Sequence, residues 1–473
     1  MNNLLFESIE KVSSLVREKK VSPVELTKLS IEQISKYNPV LKAFITVMEK
    51  EAMQQAQVLE DEAQSGVIRG PLHGIPISIK DLLQTKGVLT TGGSKIFNEW
   101  IPDEDATSVQ RMKEAGAIII GKANLHEFAM GATTENPHYG SARNPWNLSK
   151  IPGGSSGGSA IATATGMSFG SVGTDTAGSV RLPAAMCGTV GFKPTYGLVS
   201  RHGGFSFSWS LDHVGPMTRT VKDAAIMLDA MKGYDSKDHS SVKKDHSVYF
   251  QDSLKNLKGV TLGFYEPYMY SGIDLDVKCV IENAFDQLRL LGAKIVPIDL
   301  PRINEALDGL KTIAQSEVVS FHNPLLKNHA ELYGDDLKFR FQFGRDISAS
   351  SYLQAQRIRK QFIESTMKQM EGIDALVGPT NVQSPFEIGS MVPEQAISNM
   401  FTLGKTPLAN ILGFPALSVA CGFTEGRLPV GLQLIGKPFT DQRILQIGDC
   451  YEKSERWVDA LKTNTNYLEV NSL

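Results

Sequence analysis

The stretch IPGGSSGGSA, residues 151–160, holds four glycines and three serines in ten positions. A segment with so little side chain is either unstructured or lies where another backbone comes very close. Three ordinary readings present themselves. The composition suits a flexible Gly/Ser tether. It could cradle a phosphate, but the Lys-Ser/Thr ending of a P-loop is missing and no G-x-G-x-x-G spacing occurs. Gly154, Ser156 and Gly158 fit the G-x-S-x-G of a nucleophile elbow, yet the preceding NPWNLSK (144–150) reads as turn, not as the buried strand an elbow needs. The tether reading conflicts with the downstream residues, because IATATGMSFGSVGTDTAG (161–178) continues small and apolar. The sequence therefore predicts a close-packed segment.

Outside that stretch the composition is ordinarily globular: the chain has 473 residues, 41% of them hydrophobic and 21% charged, with a net charge of −3. That length allows a large core. The lack of basic excess predicts no nucleic-acid partner, and no run approaches the roughly 18 apolar residues of a membrane span. Cys187, Cys279, Cys421 and Cys450 are too scattered for a disulfide framework or a zinc ribbon. MNNLLFESIEKVSSLVREKK (1–20) lacks a signal peptide's apolar centre and reads as an amphipathic surface helix, so a cytoplasmic protein is expected.

Along the chain, Ser22-Pro23-Val24-Glu25 is a capping box with proline at the first helical position, predicting a helix towards Lys36. LKAFITV (41–47) reads as a strand and residues 50–63 as a second helix. Past Gly70, apolar strands alternate with helices, and a helix-then-strand phrase occurs twice, at residues 108–125 and again at 277–299. The pattern predicts an α/β fold, layered around a mixed β-sheet. The polar stretch DSKDHSSVKKDHS (235–247) reads as a surface loop, and 303–370 as largely helical. Nothing cuts the chain into separate units, so residues 1–473 are read as one domain, with a core at about 70–220 and a pocket-forming and C-terminal part at about 221–473.

Two further segments carry chemistry. In PLHGIPISIKD (71–81), alternation puts Ile75, Ile77 and Ile79 on one strand face and Ser78 and Lys80 on the other. GTDTAGSVRLPAA (173–185) sets Ser179 in a Gly/Ala turn between Asp175 and Arg181. Taken singly, Lys80 fits a solvated strand end and Ser179 an ordinary turn serine. Taken with residues 151–160, the set resembles the amidase signature family. The resemblance extends through GKANLHEFAMG (121–131), NPW (144–146), GFKPTYGLVSRHG (191–203) and LDHVGPMTRT (211–220), and more faintly through ALVGPT (375–380) and residues 410–436.

The resemblance implies an amidase-signature fold and C–N cleavage of amides by a Ser–cis-Ser–Lys triad, through an acyl-enzyme and without metal or cofactor. By position, Lys80 is the base, Ser155 the bridging serine after a cis peptide bond, and Ser179 the nucleophile. The N–H groups of Thr176, Ala177, Gly178 and Ser179 form the oxyanion hole, Ala129 meets substrate, and Ser156, Asp175 and Arg181 support the loop. Lys80 must be neutral to accept a proton, so burial has to lower its pKa far below about 10.4; neither ISIK nor GGSSGGS supplies an acidic group to oppose that.

Within the family, Arg181 is followed by Leu182, whereas the A subunits of glutamine-dependent tRNA amidotransferases carry glutamine there. This and FSFSWSLDHVGP (205–216) favour a stand-alone hydrolase of amides, anilides or carbamates such as urethane, with side esterase activity. Its expected partner is a small amide or carbamate, with self-association as a homodimer left open. The amidotransferase A subunit is the alternative, and a non-catalytic binding protein on the same scaffold is the alternative of another class.

Overall fold

The computed structural model describes residues 4–244, 252–392, 400–457 and 459–464. Eleven strands form one mixed sheet. Its order is Phe44–Val47, Ile118–Ala123, Pro76–Lys80, Gly170–Asp175, His213–Thr218, Val190–Lys193, Ala416–Phe423, Pro429–Gly436, Ala375–Pro379, Thr261–Phe264 and Lys294–Pro297. Pro76–Lys80 runs parallel to both its neighbours, as does Thr261–Phe264 near the far edge. The strands between these two parallel groups pair antiparallel. Each parallel group contains one of the repeated helix-then-strand phrases: Thr107–Glu114 with Ile118–Ala123, and Leu275–Leu290 with Lys294–Pro297.

Alternation along the strands sorts side chains into cores on the two sheet faces. Ile77, Ile79, Ile119, Phe192, Val377, Leu417, Val419, Leu432 and Leu434 join one continuous core. Helices Ile9–Arg17, Val221–Met231, Leu275–Leu290 and Asp441–Glu455 cover it with Ile9, Val12, Leu228, Ile281 and Leu445. The opposite face is divided. Ile118 and Ile120 pack with Ile34, Tyr37 and Ile161 at one end, while Leu376, Ala416 and Ile435 pack with Leu310, Phe341 and Phe362 at the other. Between these two apolar patches, Ser78 and Lys80 leave the Pro76–Lys80 strand on that same face. A polar site therefore lies between two apolar cores.

Three local expectations change. The helix begun by Ser22, whose hydroxyl accepts from the N–H groups of Val24 and Glu25, runs on to Leu41 with Pro39 inside it. Burial of Ile34, Tyr37 and Leu41 in one cluster extends it, which shortens the following strand to Phe44–Val47. The stretch 235–247 is not simply solvated. Asp238 is 7% exposed and pairs with Arg201 at 3.0 Å, and Asp235 accepts from Ser200 and Thr107 at 2.6 Å; residues 245–247 lie outside the described residues. The region 303–370 is helical at Ile303–His329, Asp335–Arg345 and Ala349–Gln369.

Candidate active site

Lys80 ends its strand with its side chain fully buried. Its Nζ donates to Ser155 Oγ and to Thr174 Oγ1, each at 2.8 Å. Burial draws its pKa down to about 7, while the carboxylates of Asp175 and Asp212 act to raise it. The acidic groups missing from the neighbouring sequence are thus supplied by the adjacent strand and by the segment before His213. Asp81 turns away instead, lying 3.3 Å from Lys122 and accepting from the Thr91 N–H at 2.9 Å.

The glycine-rich stretch wraps over this lysine. The Gly154–Ser155 peptide bond is cis, and the Ser155 carbonyl accepts from the His126 N–H at 3.1 Å. A Cβ on Gly154 would lie 2.8 Å from the Ala132–Thr133 backbone, and one on Gly158 would lie 2.4 Å from the Ala43 carbonyl oxygen. Real Cβ atoms do not approach so closely, so the lack of side chain reflects backbone crossing backbone, not a tether. Ser156 is buried and its hydroxyl donates to the Thr174 carbonyl at 3.3 Å, which leaves it facing the interior.

The turn after Gly170–Asp175 is organised around Asp175. Its carboxylate accepts from the Gly178 N–H at 2.8 Å, the Val180 N–H at 3.2 Å, and the Arg181 guanidinium at 2.9 and 3.0 Å. Burial works to raise the Asp175 pKa, but Arg181 and the donors around it hold the carboxyl well below the usual range. Arg181, itself fully buried, reaches onward to the Thr406 carbonyl at 2.9 Å and to the side chains of Asn410 and Gln433 at 2.6 and 2.5 Å. The pair is therefore part of a fully bonded network and not an isolated salt bridge.

Ser179 is the one residue from Ser171 to Arg181 that is only partly buried. Its carbonyl accepts from the Ser156 N–H at 3.3 Å. Its hydroxyl makes no hydrogen bond among the described residues, so the Lys80–Ser155 contact is formed while a Ser155–Ser179 side-chain contact is not. Ala177 and Gly178 lie against Thr406, whose hydroxyl donates to the Ala177 carbonyl at 2.7 Å. Thr176 Oγ1 donates to Asp212 at 2.6 Å. One expectation needs correction: the Gly178 N–H is committed to Asp175 and is not free to meet an oxyanion. The N–H groups of Ala177 and Ser179 carry no hydrogen bond among the described residues. Ala129 is buried at a left-handed φ of 63° and packs with Leu82 and Leu125.

Burial raises Asp212 to about 6, against donors from Thr176 and Ser206 and the charge of Arg201. Beside it, a cavity of about 580 Å3 is walled by Leu82, Thr174, Phe205, Trp209, Asp212 and His213. Thr174, Asp212, Thr406, Asn410 and Gln433 escape the sequence reading. Asp212 lies within LDHVGPMTRT, Thr174 within GTDTAGSVRLPAA, and Asn410 and Gln433 within residues 410–436, but nothing local marks the part each plays, and Thr406 falls outside all of these segments.

Comparison with known proteins gives a consistent result. The Amidase family model matches residues 25–445. The glutamyl-tRNA(Gln) amidotransferase A subunit of Heliobacterium modesticaldum is 38% identical over 95% of this chain and 97% of its own. Its counterpart in Marinomonas sp. is 37% identical over 95% and 97%. Among solved structures, the A subunit from Thermotoga maritima superposes with a TM-score of 0.81 at 36% identity, covering 95% of each chain. A bacterial aryl acylamidase of the amidase signature enzymes gives 0.88 at 26% identity, over 97% of this chain and 98% of that one.

These relatives overturn the expectation of a small-molecule partner with no nucleic acid, since their name is that of one subunit of an enzyme for glutamyl-tRNA(Gln). Net charge is a weak guide to such partners because it describes one chain: a subunit of charge −3 need not carry the basic surface of an assembly. They also reverse the order of the two functional readings, end-to-end identity outweighing the single leucine at 182.

Proposed function

This chain belongs to the amidase signature family of C–N-cleaving enzymes, and we propose that within it the chain is the amide-cleaving component of a glutamyl-tRNA(Gln) amidotransferase. The observation that carries this reading is the near full-length likeness to A subunits. The substrate is then the side-chain carboxamide of glutamine, the released ammonia is passed on within the assembly, and the partners are the other subunits and the charged tRNA. The reading assigns the chain to the cytoplasm and takes residues 1–473 as one domain. Among the described residues no helix is long and apolar enough to cross a membrane.

The Lys80–Ser155 contact supports a serine-nucleophile chemistry. With its pKa near 7, about half of Lys80 is neutral at pH 7 and able to take a proton. It accepts the Ser155 hydroxyl proton across their 2.8 Å contact, and Ser155 takes that of Ser179 as the nucleophile swings onto the carboxamide carbon. The tetrahedral oxyanion meets the Ala177 and Ser179 N–H groups, with Thr176 held beside them by Asp212. The C–N bond breaks as the proton returns through Ser155 to the leaving nitrogen, giving ammonia and an acyl-Ser179. Water, deprotonated by the same route, then releases the carboxylate. Thr174 shares Lys80 with Ser155 and fixes the direction of the amine.

The test compares glutamine-dependent ammonia release by the purified chain alone and after co-expression with its candidate partner subunits, with glutamyl-tRNA(Gln) added. Release should rise when partners and tRNA are present. The reading fails if they leave glutamine turnover unchanged while the isolated chain cleaves anilides or carbamates. A stand-alone aryl acylamidase or urethanase is the second reading. It is favoured by Leu182, which packs with Ala132, Ile151, Met186 and Leu403.

A further inference from the structure

A second cavity, of about 390 Å3, opens between the Ile303–His329 helix and residues 401–407. Neither Lys80, Ser155, Ser179 nor any residue from Thr176 to Gly178 lines it. Tyr268, Leu307, Leu310 and Phe401 give it apolar walls, and Lys405 stands among them. Lys405 is only 6% exposed. Its Nζ donates to the Ser271 carbonyl at 2.7 Å and the Ser271 hydroxyl at 2.8 Å, and lies 4.7 Å from the centre of the Tyr268 ring.

What the ammonium lacks is an anion. Among the described residues no carboxylate lines the cavity, and Lys405 forms no ion pair. Buried charges are normally paired, because neutral acceptors and a ring face offset only part of the lost hydration. Burial lowers the Lys405 pKa to about 8, so the group remains mostly cationic at neutral pH. Lys311 at the cavity wall adds a second positive charge, paired to Asp308 at 3.1 Å. The volume falls within the range of small-ligand pockets, about 300–1,000 Å3.

We propose that this cavity binds a small organic carboxylate, with its anion on Lys405 and its apolar body against Tyr268, Leu307, Leu310 and Phe401. The position is tied to the candidate catalytic turn. The Lys405 N–H donates to the Thr380 carbonyl at 3.0 Å, its carbonyl accepts from Gln433 at 3.2 Å, and the next residue, Thr406, bonds the Ala177 carbonyl. A ligand on Lys405 therefore sits one residue from the threonine that holds the Ser179 loop. The carboxylate can come from the reaction's own substrate or from a separate effector; both present the same group to Lys405.

Calorimetric titration of the full chain at pH 7 tests the site with three probes: 3-phenylpropionate, the neutral 3-phenylpropanol, and inorganic phosphate. The carboxylate should bind, with the alcohol and phosphate weaker by about tenfold or more. Lys405→Met should weaken phenylpropionate by about tenfold or more. Leu307→Trp, which fills the cavity from a half-buried helix position, should do the same, keeping the test independent of how well the lysine variant folds. Raising the pH to about 9.5 should weaken native binding as Lys405 loses its proton. The proposal is overturned if phenylpropionate gives no saturable heat, or if both variants bind it as the native chain does. Blocking Ser179 with a sulfonyl fluoride separates the sources. Binding retained after the block supports a separate effector, and binding lost supports the substrate's own carboxylate. No partner protein or tRNA enters the measurement, so its failure is distinct from failure of the amidotransferase reading.

Discussion

Replacing Lys80 with methionine should make the protein more stable and inactive at once. The amine is fully buried, and burial takes its pKa from 10.5 to about 7. In the unfolded chain it returns to its ordinary value, so folding at pH 7 expels part of a proton. At about 1.4 kcal/mol per tenfold, that difference destabilises the native state by about 4 kcal/mol at pH 7. Because the folded pKa lies below the unfolded one, the penalty is fully present below about pH 7 and fades as pH rises towards 10.5. Native stability should therefore climb by about 3 kcal/mol between pH 7 and pH 10. Methionine matches the volume without the charge but forfeits the bonds to Ser155 and Thr174, each worth about 1 kcal/mol. The net expectation is a gain of about 2 kcal/mol at pH 7, with this part of the pH slope removed.

Activity tests the same number from the other side. With a pKa near 7, the neutral fraction of Lys80 rises from about one-tenth at pH 6 to about nine-tenths at pH 8, so kcat/KM should rise and level off across that interval. Urea unfolding of both proteins from pH 6 to 10, with native kcat/KM over the same range, is the assay. A methionine variant less stable than the native chain at pH 7, with the same pH slope, would refute the burial argument. Near-native turnover in Lys80→Arg would refute the role as base, since a guanidinium cannot give up its proton in this range.

Ser179→Ala should abolish turnover with an unchanged melting temperature, whereas Ser156→Ala should keep activity within about tenfold, because its hydroxyl serves a backbone carbonyl; the opposite ranking would move the nucleophile to Ser156. Gly178→Ala should destabilise by about 2–3 kcal/mol, since the glycine holds a φ of +131° and a Cβ there would lie 2.0 Å from Thr406 Oγ1. Calorimetry on this variant alone and with Thr406→Ala should show partial recovery in the pair; no recovery would mean that backbone strain alone decides the effect.

How much of the fold and site is legible in the sequence depends on range. Alternation in GIPISIK separates Ile77 and Ile79 from Ser78 and Lys80, and the structure sends the two sets to opposite sheet faces. The small-residue run at 151–160 announces close packing, and its glycines are pressed against Ala43, Asn124 and Thr133. Both are local patterns. The groups that hold the catalytic turn are not. Thr406, Asn410 and Gln433 reach Arg181 from 225, 229 and 252 residues away, and each is an ordinary polar residue in its own neighbourhood. The helix end at Leu41 escapes for a related reason: burial of Tyr37 and Leu41 is a tertiary effect, and a proline at 39 read alone argues against any helix there.

The same distinction governs the electrostatics. On ISIK and GGSSGGS alone, burial acts on Lys80 unopposed, and an unopposed, fully buried amine can fall several units below its ordinary value. The fold opposes it with Asp175 and Asp212. Asp175 can do so only while ionised, and burial by itself would neutralise it; the Arg181 guanidinium at 2.9 Å keeps it charged. Arg181 in turn is acceptable in the core because Asn410, Gln433 and the Thr406 carbonyl complete its bonding. The chain of dependence runs from three distant neutral groups through one ion pair to the proton affinity of the lysine. A poised base at neutral pH is therefore a property of the whole C-terminal packing against the Asp175 turn, and the short motif around Lys80 does not contain it.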